Sequence, residues 1–326
     1  MKNRTLIALA IAFALTPAAF AKNGAMSLIP NDAVTVGVVH LADMRSSPLS
    51  SMLFQHTDSV TAHGDAGVFL SDAGLDPSKD VDLVVVATSP QTNLGTEASL
   101  LVAAEGRFNV DRLTAALVSR GAVKKEGYFV LPESKNESGH KGVIAFPDSH
   151  LALIGSVDAV AAALIDYAGS GTTFLTASGL GREVARIDPK ATAWAIIDVA
   201  RASRIANAPH GPAHDSSAGL SNALKSMSTI ALWATDTGDS LKLNGVGVGH
   251  DADTLQLVED TVRGALAAMR LAVQDKNPDL VNVLRKFQVT HSTDTVAISG
   301  AIPADTLKTL MAKKHEAHSM HVDGMK

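Results

Sequence analysis

The chain has no cysteine, and only 4% of its 326 residues are aromatic. The first absence excludes disulfides, thiolate nucleophiles, cysteine–zinc sites and a lipid anchor on an N-terminal cysteine. The second leaves few rings on which bases or sugars could stack. A dense Lys/Arg face is also missing. The formal net charge is -5 and the pI near 6.2, so binding to nucleic acid would gain little from counterion release, and no nucleic-acid partner is expected. After the first residues there is no run of about eighteen apolar residues, so no later membrane span is expected. The sequence has no Walker loop, no His-Glu-x-x-His and no Gly-x-Ser-x-Gly. Ser, His and Asp are all present, but a catalytic triad is defined by geometry and not by abundance.

What is present begins with an address. Lys2 and Arg4 precede the apolar run Leu6–Leu15, Pro17 breaks it, and Ala19-Phe20-Ala21 is a small-x-small cleavage site. This is the three-part pattern of a secretory signal peptide, residues 1–21. Its removal takes away two positive charges and moves the formal charge from -5 to -7. The expected location is the periplasm or the exterior. There a chain without disulfides must hold its fold by core packing, for which 46% hydrophobic residues are sufficient supply.

The stretch Ala98–Gly121 reads as a strand, a turn and an amphipathic helix capped by Asn109, with Val110, Leu113, Leu117 and Val118 as its apolar stripe. A second version occupies Ser240–Gly264. Further blocks recur in the same order. Ala33–Ala42 matches Ala191–Ala200, Leu83–Thr88 matches Ile230–Thr235, Asn109–Leu113 matches Asp251–Leu255, and Leu151–Gly155 matches Val296–Gly300. Blocks in register at a fixed order predict an internal repeat. The expected organisation is a first unit over residues 22–168, a Gly/Ser-containing linker over 169–180, a second unit over 181–312 and a tail over 313–326. The copies differ after the shared turn. The second continues into a long helix with Leu255, Val258, Val262, Leu266, Met269 and Val273 on one face, then a helix started by Asn277-Pro278.

The element order in each unit, β-α-β-β-α-β-β-α, predicts an α+β fold: two mainly antiparallel or mixed sheets with helices on one face. Within Leu241–Gly249 strict alternation puts Leu241, Leu243, Gly245, Gly247 and Gly249 on one strand face, open to close approach by a packed helix or a ligand. The Gly-x-Gly-x-Gly is no dinucleotide fingerprint, because His250 stands where a glycine is needed and the glycines lie inside a strand.

Three sets of residues carry possible chemistry. His40 and Asp198 end the two matching first strands, and as strand ends they meet solvent. His210 and His214 flank Gly211-Pro212-Ala213, which supplies two ligands and prevents a helical pair. In the tail, His315, His318 and His321 recur every third residue with Met320, Asp323 and Met325 nearby. Imidazole suits zinc, nickel or copper, so these histidines are the candidate metal ligands; a solvated tail without metal is the plainer expectation. Asn136-Glu137-Ser138 matches a glycosylation sequon, a triplet common by chance.

The signal peptide, IPNDAVTVGVVHLADMRSSPL, GLDPSKDVDLVVVAT and EGRFNVDRL together resemble a group of exported bacterial proteins of unknown function. The resemblance implies an exported protein with a two-unit α+β fold and no mechanism. The expected role is non-enzymatic binding or scaffolding in the cell envelope, toward an envelope protein or small ligand, through a sheet face or the groove between units. The alternatives are metal binding by the tail and a hydrolase whose site sequence does not reveal.

Overall fold

The apolar, β-branched run after Pro30 forms strand β1 (Thr35–His40), and the run after Pro77 forms β2 (Val81–Pro90), in which buried positions alternate with half-buried or exposed ones. The computed structural model describes residues 24–45, 47, 65–90, 98–132, 142–169, 174–206, 223, 225–275 and 277–309. Ten further strands follow: β3 (Ala98–Gly106), β4 (Val123–Lys124), β5 (Phe129–Val130), β6 (Gly142–Asp148), β7 (Leu151–Ser156), β8 (Ala193–Asp198), β9 (Thr229–Asp236), β10 (Ser240–Val248), β11 (Gln288–His291) and β12 (Thr295–Pro303). The helices are α1 (Leu41–Arg45), α2 (Asp65–Ala73), α3 (Pro77–Asp80), α4 (Val110–Ser119), α5 (Val157–Ala168), α6 (Phe174–Ala177), α7 (Gly179–Glu183), α8 (Val199–Ala206), α9 (Ala252–Val273) and α10 (Pro278–Arg285). The fold is mixed α+β.

Among the described residues all twelve strands belong to one sheet, in the order β11-β12-β10-β9-β8-β1-β2-β3-β7-β6-β5-β4. Two separate sheets were expected. They are joined because β1 and β8, the matching first strands, pair antiparallel, with Thr35 opposite Ile197 and Val39 opposite Ala193. Counting outward from that seam, β2, β3, β7 and β6 on one side stand where β9, β10, β12 and β11 stand on the other. The first half alone adds β5 and β4 at its edge.

Helices cover both faces, where one was expected. The row Leu153–Ala103–Val85–Val38–Trp194 belongs to the first face. It packs under the 3-10 turn Ala25–Leu28, α5, α6 and α7 in the main core. The neighbouring row on the second face, with Val84, Ala104 and Ala152, lies under α2 and α4. Further along that face α9 packs on Ile230 and Ile298 through Leu255, Val258, Val262 and Leu266. Strand β2 carries the unbroken apolar run Leu83–Ala87 because helices lie over both faces of the sheet.

Several local expectations hold and several are corrected. Asn109 caps α4 by accepting from the Arg112 N–H at 3.1 Å, and Asn277 caps α10. Ser156 precedes α5, yet its hydroxyl makes no capping bond. Val118 and Met269, expected on buried stripes, are 52% and 53% exposed. Residues 174–180, expected in the linker, form α6 and the start of α7, and Phe174 is fully buried. The glycine face of β10 is filled by side chains: a Cβ on Gly245 would stand 2.7 Å from Leu232 Cδ2, and one on Gly249 would stand 2.8 Å from Leu255 Cδ2.

Candidate functional site

Strand β1 carries His40 to its end on the first face, next to the β8 strand that holds Trp194. Above this seam the chain between α6 and β8 wraps as two short helices and a turn. Gly181 makes the wrap possible: a Cβ there would fall 2.0 Å from the Phe174 carbonyl oxygen. Ser178 caps α7 by accepting from the Gly181 N–H at 2.7 Å. Between the wrap and the sheet lies a cleft of about 640 Å³. Met26, Leu175, Ile187 and Trp194 give it apolar walls, and His40, Arg182 and Asp188 supply the polar groups. Its size falls in the range of about 300–1,000 Å³ of small-molecule sites, which combine apolar walls with a few polar groups in this way.

The polar groups differ in their commitments. Asp188 Oδ1 accepts from the Lys190 N–H at 2.9 Å, which fixes the turn before β8. The exposed Arg182 side chain has no carboxylate partner within salt-bridge distance in the described structure. It is therefore available to an anionic group at the mouth. The His40 N–H donates to the Thr192 carbonyl at 2.8 Å, which ties the strand end without using the ring.

Asp198 is the sequence counterpart of His40, but the antiparallel seam places it at the other end. Asp198 lies beside Val34, and His40 beside Thr192. Its carboxylate accepts from the Arg201 N–H at 2.9 Å and so caps α8. His210, His214, His315, His318 and His321 lie outside the described residues. Among the described residues no group of three His, Cys, Asp or Glu side chains is arranged to hold a metal.

A second polar cluster binds α9 to the sheet. Glu259 is only 6% exposed, yet it stays paired: Arg263 Nη2 reaches it at 2.5 Å, and His291 Nδ1 bonds its other oxygen. Arg263 also donates to the Val289 carbonyl at 2.8 Å. Sequence reasoning passed over Glu259, which stands at i+1 of a buried position in a helical stripe and reads as surface. It also passed over Arg182 and Trp194. The available signal was that Trp194 is one of two tryptophans in the chain, and the other, Trp233, stands opposite it on the neighbouring strand β9.

This is an α+β protein built on a single antiparallel sheet, with a wrapped cleft at its central seam. No protein-family model matches the chain, and no curated protein matches it. Among solved structures it is similar to crystal forms I and III of TP0453, each at a TM-score of 0.48 and 10% identity over 88% of this chain, covering 96% and 97% of the matched chains. Crystal form IV of the same protein is similar with a TM-score of 0.45 at 10% identity. Among the described residues no helix is long and apolar enough to cross a membrane.

Proposed function

We propose that the chain is an exported, non-enzymatic binding protein of the cell envelope. Its ligand is a small amphipathic molecule with an apolar body and an anionic head, taken up in the cleft over the β1–β8 seam. One observation carries this reading: the cleft joins a wall of Met26, Leu175, Ile187 and Trp194 to an unpaired guanidinium, Arg182, at its mouth. Export is supported by the residue 1–21 pattern.

Binding can be read directly, because Trp194 lines the cleft and Trp233 is its cross-strand neighbour. Titrating decanoate against the protein is expected to change the tryptophan emission saturably, and decyltrimethylammonium is expected to bind more weakly. Ala185→Trp, which places a large side chain at the cleft wall, should abolish the response; Arg182→Glu should reverse the preference for the head group. Equal, non-saturating responses to both amphiphiles in all three proteins would remove the basis for this function.

A further inference from the structure

Among the described residues the sheet ends at β11, a four-residue strand paired on one side only. The tight hairpin after it fixes which of its backbone groups face outward. The Ser292 N–H donates to the Thr295 carbonyl at 2.8 Å, so in an antiparallel ladder Thr290 and Gln288 also turn toward β12. Val289 and His291 then turn their backbone groups away from the sheet. The Arg263 bond to the Val289 carbonyl, arriving from outside the ladder, agrees with this register. Three outward groups are left without a hydrogen bond in the described structure: the Val289 N–H, and the His291 N–H and C=O.

Beside this edge is a second cleft, of about 420 Å³. Leu266, Leu284 and Phe287 form its apolar part, and Arg263 and Arg270 stand over it from α9. The two arginines are seven residues apart, two turns of helix and about 10 Å along its axis. Arg263 is engaged by Glu259. Arg270 makes one bond, from Nε to the Leu266 carbonyl in its own helix at 3.3 Å, and pairs with no carboxylate in the described structure. A chain with net charge -5 thus keeps an uncompensated cation next to an open strand edge.

We propose that this edge takes an extended acidic peptide segment of a partner protein as a thirteenth strand. The backbone of the incoming segment satisfies the three outward groups, as in other cases of strand addition. Because side chains alternate along a strand, every second residue of the segment faces α9. Those residues are acidic: they present carboxylates to Arg270 and lay their methylenes over the Leu266, Leu284 and Phe287 surface. An open edge is otherwise a liability that proteins cover or charge. Here Glu259 engages Arg263, and the charge left over beside the edge is that of Arg270, which selects the strand that can add.

The probe is a fluorescein-labelled peptide, Val-Glu-Val-Glu-Val-Glu, followed by fluorescence anisotropy against the full chain. It is expected to bind saturably, and the matching Val-Lys peptide at least about tenfold more weakly. Arg270→Glu, checked for unchanged thermal unfolding, should weaken the acidic peptide by about tenfold or more. Peptides N-methylated on the three valines or on the three glutamates block opposite edges of the added strand, and at least one of them should lose binding. No binding at millimolar peptide overturns the proposal, as does equal binding of the lysine peptide. Indifference to Arg270→Glu, or equal binding of both N-methylated forms and the parent, would overturn it too.

Discussion

At the scale of single residues, the charged side chains act mostly as fasteners. Asp76 caps α3, and its carboxyl is held below the usual carboxylate range by the hydrogen bond from Lys79 and by those from Ser78. Asp148 sits at the β6–β7 turn. Burial pushes its carboxyl up, but the Tyr167 phenol at 2.6 Å and the N–H groups of His150 and Leu151 outweigh this and hold it low. The Tyr167 phenol is pushed up chiefly because it donates that bond. A lowered carboxyl contributes stability above its unfolded value of about 3.9 that is lost as pH falls through the folded value. A raised phenol contributes stability below about pH 10 that is lost as pH rises through its folded value. Tyr167→Phe removes both arms. The expected cost at pH 7 in urea unfolding is about 1 kcal/mol or less, since the bond is solvent-exposed. The gap between wild type and variant should shrink as the pH falls below about 4; a gap that persists undiminished in acid would assign the cost to packing instead.

At the scale of elements, α9 shows what the sequence could and could not state. The spacing of Leu255, Val258, Val262 and Leu266 identified the helix and its buried face, because an apolar stripe at helical period has one stable use. One position of the stripe failed: Met269 satisfies the period but is 53% exposed, whereas Val273 one turn on is half-buried, and period carries no information about what each turn meets. The same limit applies to Val118 in α4. The Glu259–His291 pairing and the cleft residues Arg182 and Trp194 were illegible for a related reason. They depend on which strands become neighbours, and local pattern does not encode that. The glycine face of β10 was legible as a close approach, though what approaches is side chains. Leu255 is fully buried and Leu257 is 65% exposed. Leu255→Ala is therefore expected to cost about 2–5 kcal/mol in urea unfolding. Leu257→Ala should stay within about 0.5 kcal/mol. Equal effects would mean that α9 does not seat on the sheet through this face.

At the scale of the whole molecule, the seam decides how the halves depend on each other. The α+β class followed from the order of elements, and the matching blocks in the sequence occupy matching places on either side of β1–β8. A duplicated unit is our proposal, supported by that order. The single sheet escaped sequence reasoning because each half already contains enough strands to suggest a sheet of its own. A fragment of residues 22–168 would expose the edge of β1 from Thr35 to Val39, where β8 normally pairs. The full chain is expected to unfold in one cooperative transition. The fragment should be less stable or should associate through the bared edge, read by size-exclusion chromatography; a monomeric fragment with the full chain's midpoint would show two independent halves.

That seam also has a consequence for biogenesis. Thr35 meets Ile197, so the middle of the sheet forms only between residues about 160 positions apart, a high contact order that slows folding. A polypeptide synthesised N-terminus first delivers β1 long before β8 emerges. The leading half must wait with one flank of its innermost strand bare, so the decisive docking step comes late, once β8 has been made and can close the seam.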